Sequence, residues 1–202
     1  MALIPAAYLL GCFSTGYYLV RLRSREDIRE LGSGTAGAKN VGRKFGAWGF
    51  IVTFLGDLAK GAIAVAAGTY LGLGQIGLVV VMIAVVLGHI WPVQLGFRGG
   101  KGISTSLGAI LVFNWLIGVI VLGIFVLTFA LTRKFTLSGV AAAILSPLVP
   151  VALRLPATSV IGVSALAVLI VFAHRKNIAA EIGRIRARGQ LGDDRSNLLQ
   201  KE

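Results

Sequence analysis

Acidic residues are scarce in this chain: Asp and Glu number 8 among 202 residues, against 20 Lys and Arg. Charge of both signs together is only 14%, where a soluble domain carries about a quarter. The single cysteine, Cys12, excludes an internal disulfide framework, and inside an apolar run it reads as a small packing residue. His89 and His174 are the only histidines, so the sequence offers no metal-ligand cluster. No internal repeat, low-complexity linker or soluble domain stands out either. A nucleophile-elbow pattern is also missing.

What the chain has instead is long apolar runs. Hydrophobic residues make up 56% of it, and stretches at about 2–20, 47–72, 76–97, 103–131 and 138–173 hold almost no charge. About 20 apolar residues suffice to cross a bilayer. The sequence therefore reads as an all-α integral membrane protein, a single polytopic domain over residues 1–202. No basic residue precedes the first run and Arg21, Arg23 and Arg25 follow it, the reverse of a signal peptide, so it is read as a retained helix.

The formal net charge of +12 does not point to nucleic acid, because the basic residues alternate with the apolar runs rather than forming one patch. They cluster at Arg21 to Lys44, Arg98 with Lys101, Arg133 with Lys134, and from His174 onward. Placing all four clusters in the cytoplasm leaves the connections near 72–76, 114–117 and 152–157 outside, with Arg154 their only charge. That arrangement requires about seven transmembrane helices, N-terminus out and C-terminus in. Two are expected to be short, because 103–131 must turn near Asn114-Trp115 and halves of about 13 residues span only about 20 Å. Five longer crossings is the alternative count. Residues 173–202 read as a cytoplasmic amphipathic tail on the anionic inner leaflet, with Ile178, Ile182 and Ile185 on one face and Arg184, Arg186 and Arg188 on others.

Polar residues that interrupt such a pattern carry the information. They form three sets on the same side of this topology. The first is GSGTAGAKNVGR, residues 32–43, whose Gly32, Gly34 and Gly37 have dinucleotide-fingerprint spacing. That fingerprint requires a strand before it and a helix after it, within a βαβ unit. Here apolar runs lie on both sides, and the dinucleotide reading fails. Glycines still let backbone N–H groups approach an anion closely, and Ser33, Lys39, Asn40 and Arg43 add donors and charge. The second set is GHIWPVQLGFRGGKGISTSLG, residues 88–108. It lacks the Walker A spacing, yet it offers Arg98, Gly99, Gly100, Lys101, Gly102 and Ser104 at a helix start, a combination that binds phosphate. Pro92 is expected to end or bend the preceding helix. The third set is HRKNI, residues 174–178, where His174 and Asn177 share a helix face. Asp57 and Lys60, three apart within a run, read as an internal ion pair, with a catalytic role as the alternative.

The His-x4-Asp pattern of many glycerolipid acyltransferases is absent: Gln94 and Ala179 occupy the places five residues after the two histidines. Cations and glycine amides are plentiful, whereas nucleophiles and bases are few. Such a site suits a reaction whose donor is already activated, such as acyl transfer from an acyl phosphate. The three sets resemble, in order, the three motifs of the bacterial acyl-phosphate:glycerol-3-phosphate acyltransferases, and length and hydropathy fit over nearly the whole chain. GHIWPVQLGFRGGKGIST is similar to that family's Gly-His-x-x-Pro-Val-x-x-x-Phe-[Lys/Arg]-Gly-Gly-Lys-Gly signature.

The resemblance implies transfer of a fatty acyl group from acyl phosphate to the 1-hydroxyl of glycerol 3-phosphate. Lysophosphatidic acid and phosphate would form at the cytoplasmic face of the bacterial inner membrane. No cofactor, metal or acyl-enzyme intermediate is implied, and a monomer is expected. By similarity Ser33, Lys101, His174 and Asn177 fall on catalytic positions. Arg43, Lys39, Asn40, Arg98, Ser104 and the backbone at Gly34, Gly37, Gly99, Gly100 and Gly102 are expected to bind substrate. The chain departs from the family pattern at Thr35 (usually Asn), at Lys39 (usually Thr) and at Ala180-Glu181 (usually Arg-Leu), and it lacks the later Gly-x-Glu. Lys39 strengthens the loop's attraction for anions, and the other changes bear on which acceptor fits. The competing reading is a small membrane transporter for an anionic phosphate metabolite. Its usual internal repeats and midplane polar groups are not evident.

Overall fold

The computed structural model describes residues 2–199, with side chains given through Glu181. Every regular element among them is helical: α1 (Leu3–Cys12), α2 (Thr15–Ser24), α3 (Ala38–Tyr70), α4 (Gln75–Ile90), α5 (Ile103–Phe113), α6 (Trp115–Thr132), α7 (Phe135–Leu145), α8 (Leu148–Ala152) and α9 (Ala157–Leu199). Among these residues five helical segments are long and apolar enough to cross a membrane: Leu3–Ser24, Ala38–Tyr70, Gln75–Leu95, Trp115–Thr132 and Ala157–Glu181. The shorter apolar helices are α5 and α7, of 11 residues each. The break at Asn114 falls where the sequence predicts it, and the Asn114 side chain caps α6 by accepting from the Ile117 N–H at 3.2 Å. The two parts of 103–131 are nonetheless unequal. α6 runs 18 residues, and the second short helix is α7, because the Arg133–Lys134 turn comes late and Ser146-Pro147 ends α7 early.

α4 is the centre of the bundle. Val81, Met82, Val85 and Val86 are completely buried, in a core shared with α1, α3, α5, α6, α8 and α9. Apolar contact gives no hydrophobic drive between helices in lipid, so close backbone approach matters more. A Cβ at Gly11 of α1 would stand 2.1 Å from the Val85 carbonyl oxygen, and one at Gly88 of α4 would stand 2.1 Å from that of Tyr8. The pair Gly61 and Gly108 does the same for α3 and α5, at 2.1 Å and 2.0 Å from the carbonyls of Thr105 and Leu58.

Two interruptions shape the polar end. α1 stops at Phe13, and the carbonyls this exposes inside the protein find donors elsewhere. Lys60 Nζ donates to the Gly11 and Phe13 oxygens at 2.9 and 2.7 Å, and Gln94 Nε2 donates to Cys12 at 2.6 Å. Lys60 also stands 3.1 Å from Asp57 Oδ1, so the ion pair expected from the sequence is present, with its cation clamping the α1–α2 break. α3 is broken at Gly46 (φ 72°, ψ −160°), which sets its first two turns apart from the long segment that follows. α4 ends at Ile90, just before the Trp91-Pro92 step, as the proline predicts.

The chain alternates in direction relative to this end. α3, α5 and α7 run away from it, and α4, α6 and α9 return to it. The helical backbone of α9 continues to Leu199. The amphipathic stripe expected of Ile182, Ile185, Arg184, Arg186 and Arg188 lies outside the described side chains.

Candidate active site

Three helices begin at one pocket. Ala38 and Lys39 of α3, Ile103 and Ser104 of α5, and Phe135 and Thr136 of α7 all line it. The first turn of a helix has N–H groups without an intrahelical partner and carries about half a positive charge. Three such ends facing one space attract an anion before any side chain is counted. Lys39, Arg43 and Lys101 then place three cationic side chains in the lining, with Ser33, Gly37, Gly102, His174 and Asn177 beside them. The structure thus brings together residues from all three polar sets.

Loop 28–37 is held from below by the buried Val20, Ile28, Ala36 and Val41. Asn40 holds it from within. Its Nδ2 donates to the carbonyls of Ile28, Leu31 and Thr35 at 3.0, 2.9 and 2.9 Å, and its Oδ1 accepts from the Ser33 N–H at 2.9 Å. Asn40 thus braces the loop and at the same time lines the pocket. The Ser33 hydroxyl stands 3.2 Å from that of Thr35. Arg29 ties this loop to the next one. It pairs with Asp27 at 2.6 Å, donates to the Leu95 carbonyl at 2.5 Å and stacks over the Tyr17 ring. Ala36 N–H to Gly99 O, at 3.3 Å, makes a second tie.

The glycines before Lys101 serve a different purpose from the one the sequence suggests. Gly99 N–H donates to the Ile90 carbonyl at 3.1 Å and Gly100 N–H to that of His89 at 3.0 Å, so both amides are spent on the end of α4. A Cβ at Gly100 would stand 2.1 Å from His89 Nε2: the loop lies flat on the imidazole. Gly34 N–H is likewise committed, to Leu31 O at 3.0 Å. Arg98 is exposed and faces Glu30 at 3.8 Å. Gly34, Arg98, Gly99 and Gly100 are therefore not among the lining residues, whereas Gly102, at φ 89°, turns the chain into α5 and is.

Cross-ties fix the cations. Lys101 Nζ donates to Asn177 Oδ1 at 2.8 Å and Lys39 Nζ to Thr136 Oγ1 at 2.7 Å, joining the second loop to α9 and α3 to α7. Lys134 pairs with Glu181, tying the α6–α7 turn to α9. His174 Nδ1 donates to the Ile170 carbonyl at 2.8 Å, which fixes the orientation of the ring. Burial pushes the Lys101 ammonium below its ordinary pKa, and the neighbouring charges of Lys39 and Arg43 push it further in the same direction.

The sequence suggests no site role for Phe54, His89, Phe135 or Thr136, and for Asp57 only a catalytic role as the alternative to its ion pair; all five line the pocket. Asp57 and His89 did carry a signal, as polar groups inside apolar runs. Thr136 carried none, because a threonine after a basic turn is unremarkable. Phe54, Ile103 and Phe135 also line a second chamber, walled by apolar residues such as Leu107, Val121, Phe125, Ala142 and Leu166. A cationic pocket and an apolar chamber with a common wall suit a molecule that has a phosphate and a hydrocarbon chain.

Known proteins share this sequence and fold. The family model described as glycerol-3-phosphate acyltransferase matches residues 1–183. A glycerol-3-phosphate acyltransferase 1 of Desulfitobacterium hafniense is 48% identical over 176 residues, 87% of each chain. One of Bacillus cereus is 39% identical over 173 residues, 86% of this chain and 95% of its own. The crystal structure of PlsY, an integral membrane glycerol 3-phosphate acyltransferase, in its glycerol 3-phosphate form, superposes with a TM-score of 0.85 at 31% identity, covering 90% of this chain and 91% of that one. Its lysophosphatidic acid form gives 0.82 at 30% identity with the same coverage. With its sequence motifs gathered at one pocket and this likeness over nearly its full length, the chain belongs to the glycerol-3-phosphate acyltransferase family.

Proposed function

We propose that the protein moves a fatty acyl group from acyl phosphate to the 1-hydroxyl of glycerol 3-phosphate, releasing lysophosphatidic acid and inorganic phosphate without an acyl-enzyme intermediate. The observation that carries this reading is the common wall of Phe54, Ile103 and Phe135 between the cationic pocket and the apolar chamber. The acyl chain occupies the chamber, where its burial contributes about 0.8 kcal/mol per methylene, and its phosphate lies among Lys101, Arg43 and the helix N-termini. Ser33, His174 and Asn177 orient the acceptor and the acyl carbonyl. Arg98, Gly34, Gly99 and Gly100 act indirectly, through the loops that carry Ser33 and Lys101.

In the reaction the acceptor hydroxyl oxygen forms the new ester C–O bond as the acyl C–O bond to phosphate breaks. The hydroxyl proton passes to an oxygen of the departing phosphate. The protein supplies orientation and charge stabilisation, each of which lowers the barrier without a nucleophile of its own. The reading asks for no cofactor or metal, and one copy of the chain contributes every residue named.

We place the pocket at the cytoplasmic face of the bacterial inner membrane, with seven crossings, N-terminus out and C-terminus in. The alternating helix directions and the basic residues around the pocket rim support this. α5 and α7 are the short crossings, at about 16 Å each, sheltered by neighbouring helices.

Lys101→Ala tests the assignment. Phosphate release from acyl phosphate plus glycerol 3-phosphate is expected to fall at least about 100-fold, as for removal of a single transition-state charge donor, with loss of lysophosphatidic acid by mass spectrometry. Turnover like that of the unmodified protein would refute the role.

A further inference from the structure

The pocket has two electrostatic halves. Lys39, Arg43 and Lys101 give one its positive charge. The other is built on α3 and α4, where Asp57 and His89 line the pocket with side chains 2% and 3% exposed. Asp57 Oδ1 and His89 Nδ1 stand 3.7 Å apart, too far for a hydrogen bond to each other, and neither has a hydrogen-bond partner among the described residues. Lys60 offsets the Asp57 charge from 3.1 Å, but its hydrogen bonds go to the Gly11 and Phe13 carbonyls. A buried ring nitrogen without a partner, beside a buried carboxylate oxygen whose one partner is the Lys60 ammonium, costs free energy unless something completes it. Two such atoms 3.7 Å apart fit one bridging oxygen at hydrogen-bond distance, about 2.8 Å from each. A hydroxyl can donate to the carboxylate while it accepts from an imidazole N–H, whereas a phosphate dianion would be repelled by the carboxylate.

We propose that Asp57 and His89 form a subsite for the non-reacting, middle hydroxyl of the acceptor. They hold it between carboxylate and imidazole, so that the phosphate is directed to the cations and the terminal hydroxyl is presented for acylation. This rests on the reading of the pocket as the acceptor site and adds the element that selects a polyol phosphate over a simple hydroxyalkyl phosphate. A site built to bond a hydroxyl rejects the analogue lacking it, because its buried polar groups are then left unpaired.

The test compares glycerol 3-phosphate with 3-hydroxypropyl phosphate, which lacks the middle hydroxyl, using acyl phosphate as donor and purified protein in lipid. The unmodified protein is expected to favour glycerol 3-phosphate by at least about 100-fold in kcat/KM. Asp57→Asn and His89→Gln are each expected to shrink that ratio toward about 10 or below, by slowing glycerol 3-phosphate with little change for 3-hydroxypropyl phosphate. His89→Gln leaves the Asp57–Lys60 pair whole, so the test survives if Asp57→Asn fails to fold. Equal use of the two acceptors by the unmodified protein overturns the proposal. So does a loss in folded variants that is the same for both acceptors, the mark of a structural role or of a site filled by water. If the unmodified protein acylates neither acceptor, the enzymatic reading itself fails, a result distinct from either.

Discussion

Lys101 holds its charge against its surroundings. Burial and then the charges of Lys39 and Arg43 lower its pKa. A bound phosphate dianion acts in the opposite direction, favouring the ammonium. The free protein is described by kcat/KM and the substrate complex by kcat. The alkaline limb of kcat/KM is therefore expected at a lower pH than that of kcat, and below the about 10.4 of an unperturbed lysine. Lys101→Arg, if active, moves both limbs beyond the measurable range, since a guanidinium does not deprotonate there. Coincident limbs in the unmodified protein would show that Lys101 does not meet the substrate phosphate. At this scale the sequence reveals which residues stand out and hides what they touch. Ser33, Lys101, His174 and Asn177 stand out as polar groups in an apolar chain and do line one pocket, whereas the catalytic roles expected of them come from the family resemblance. Gly99 and Gly100 signal a close approach of backbone to something, and only the fold shows that this is the end of α4 and the His89 ring.

Helices bring those residues together through contacts that leave no room for a methyl group. Gly61 and Gly108 let α3 and α5 meet backbone to backbone, and these two helices carry Lys39 and Arg43 on one side and Ser104 on the other. Gly61→Ala puts a carbon where the Thr105 carbonyl oxygen is only 2.1 Å away, so the helices must separate. Overpacking of this kind costs about 1–3 kcal/mol. The expected result is a lower thermal midpoint in detergent together with a raised KM for glycerol 3-phosphate, since the long segment of α3 that carries Phe54 and Asp57 moves away from the start of α5. An unchanged midpoint would mean that the interface is looser than its geometry indicates. Element existence is the part of the fold most legible from sequence, because apolar runs and the punctuation at Pro92 and Asn114 are local signals. The unequal lengths of α5 and α6 are less so. Within an unbroken apolar run, hydropathy has no feature that marks where a helix reaches the far side of the bundle.

Over the whole molecule, charge and helix direction agree. Glu30 and Arg98 face each other at 3.8 Å at the pocket end. Tyr70 and Trp115, 91% and 68% exposed, lie at the opposite ends of α3 and α6. Chain direction requires the segments after α3 and α5 to share one end of the bundle, and the cytoplasmic placement proposed for the other end rests on the positive residues of the pocket rim. Cys12 is 1% exposed, which makes it a silent background that Cys12→Ala removes entirely. Single cysteines at Glu30, Arg98, Tyr70 and Trp115 in that background provide the measurement. A membrane-impermeant maleimide added to inside-out vesicles is expected to label Glu30→Cys and Arg98→Cys and to spare Tyr70→Cys and Trp115→Cys, with the reverse in right-side-out vesicles. Labelling of Trp115→Cys on the Arg98 side would mean that α5 is a re-entrant hairpin arm rather than a crossing, and would overturn the proposed count of seven. Labelling of Glu30→Cys and Arg98→Cys from opposite sides would do more. It would separate the loop that carries Ser33 from the loop that carries Lys101, and no single pocket could then draw on both to hold a substrate phosphate.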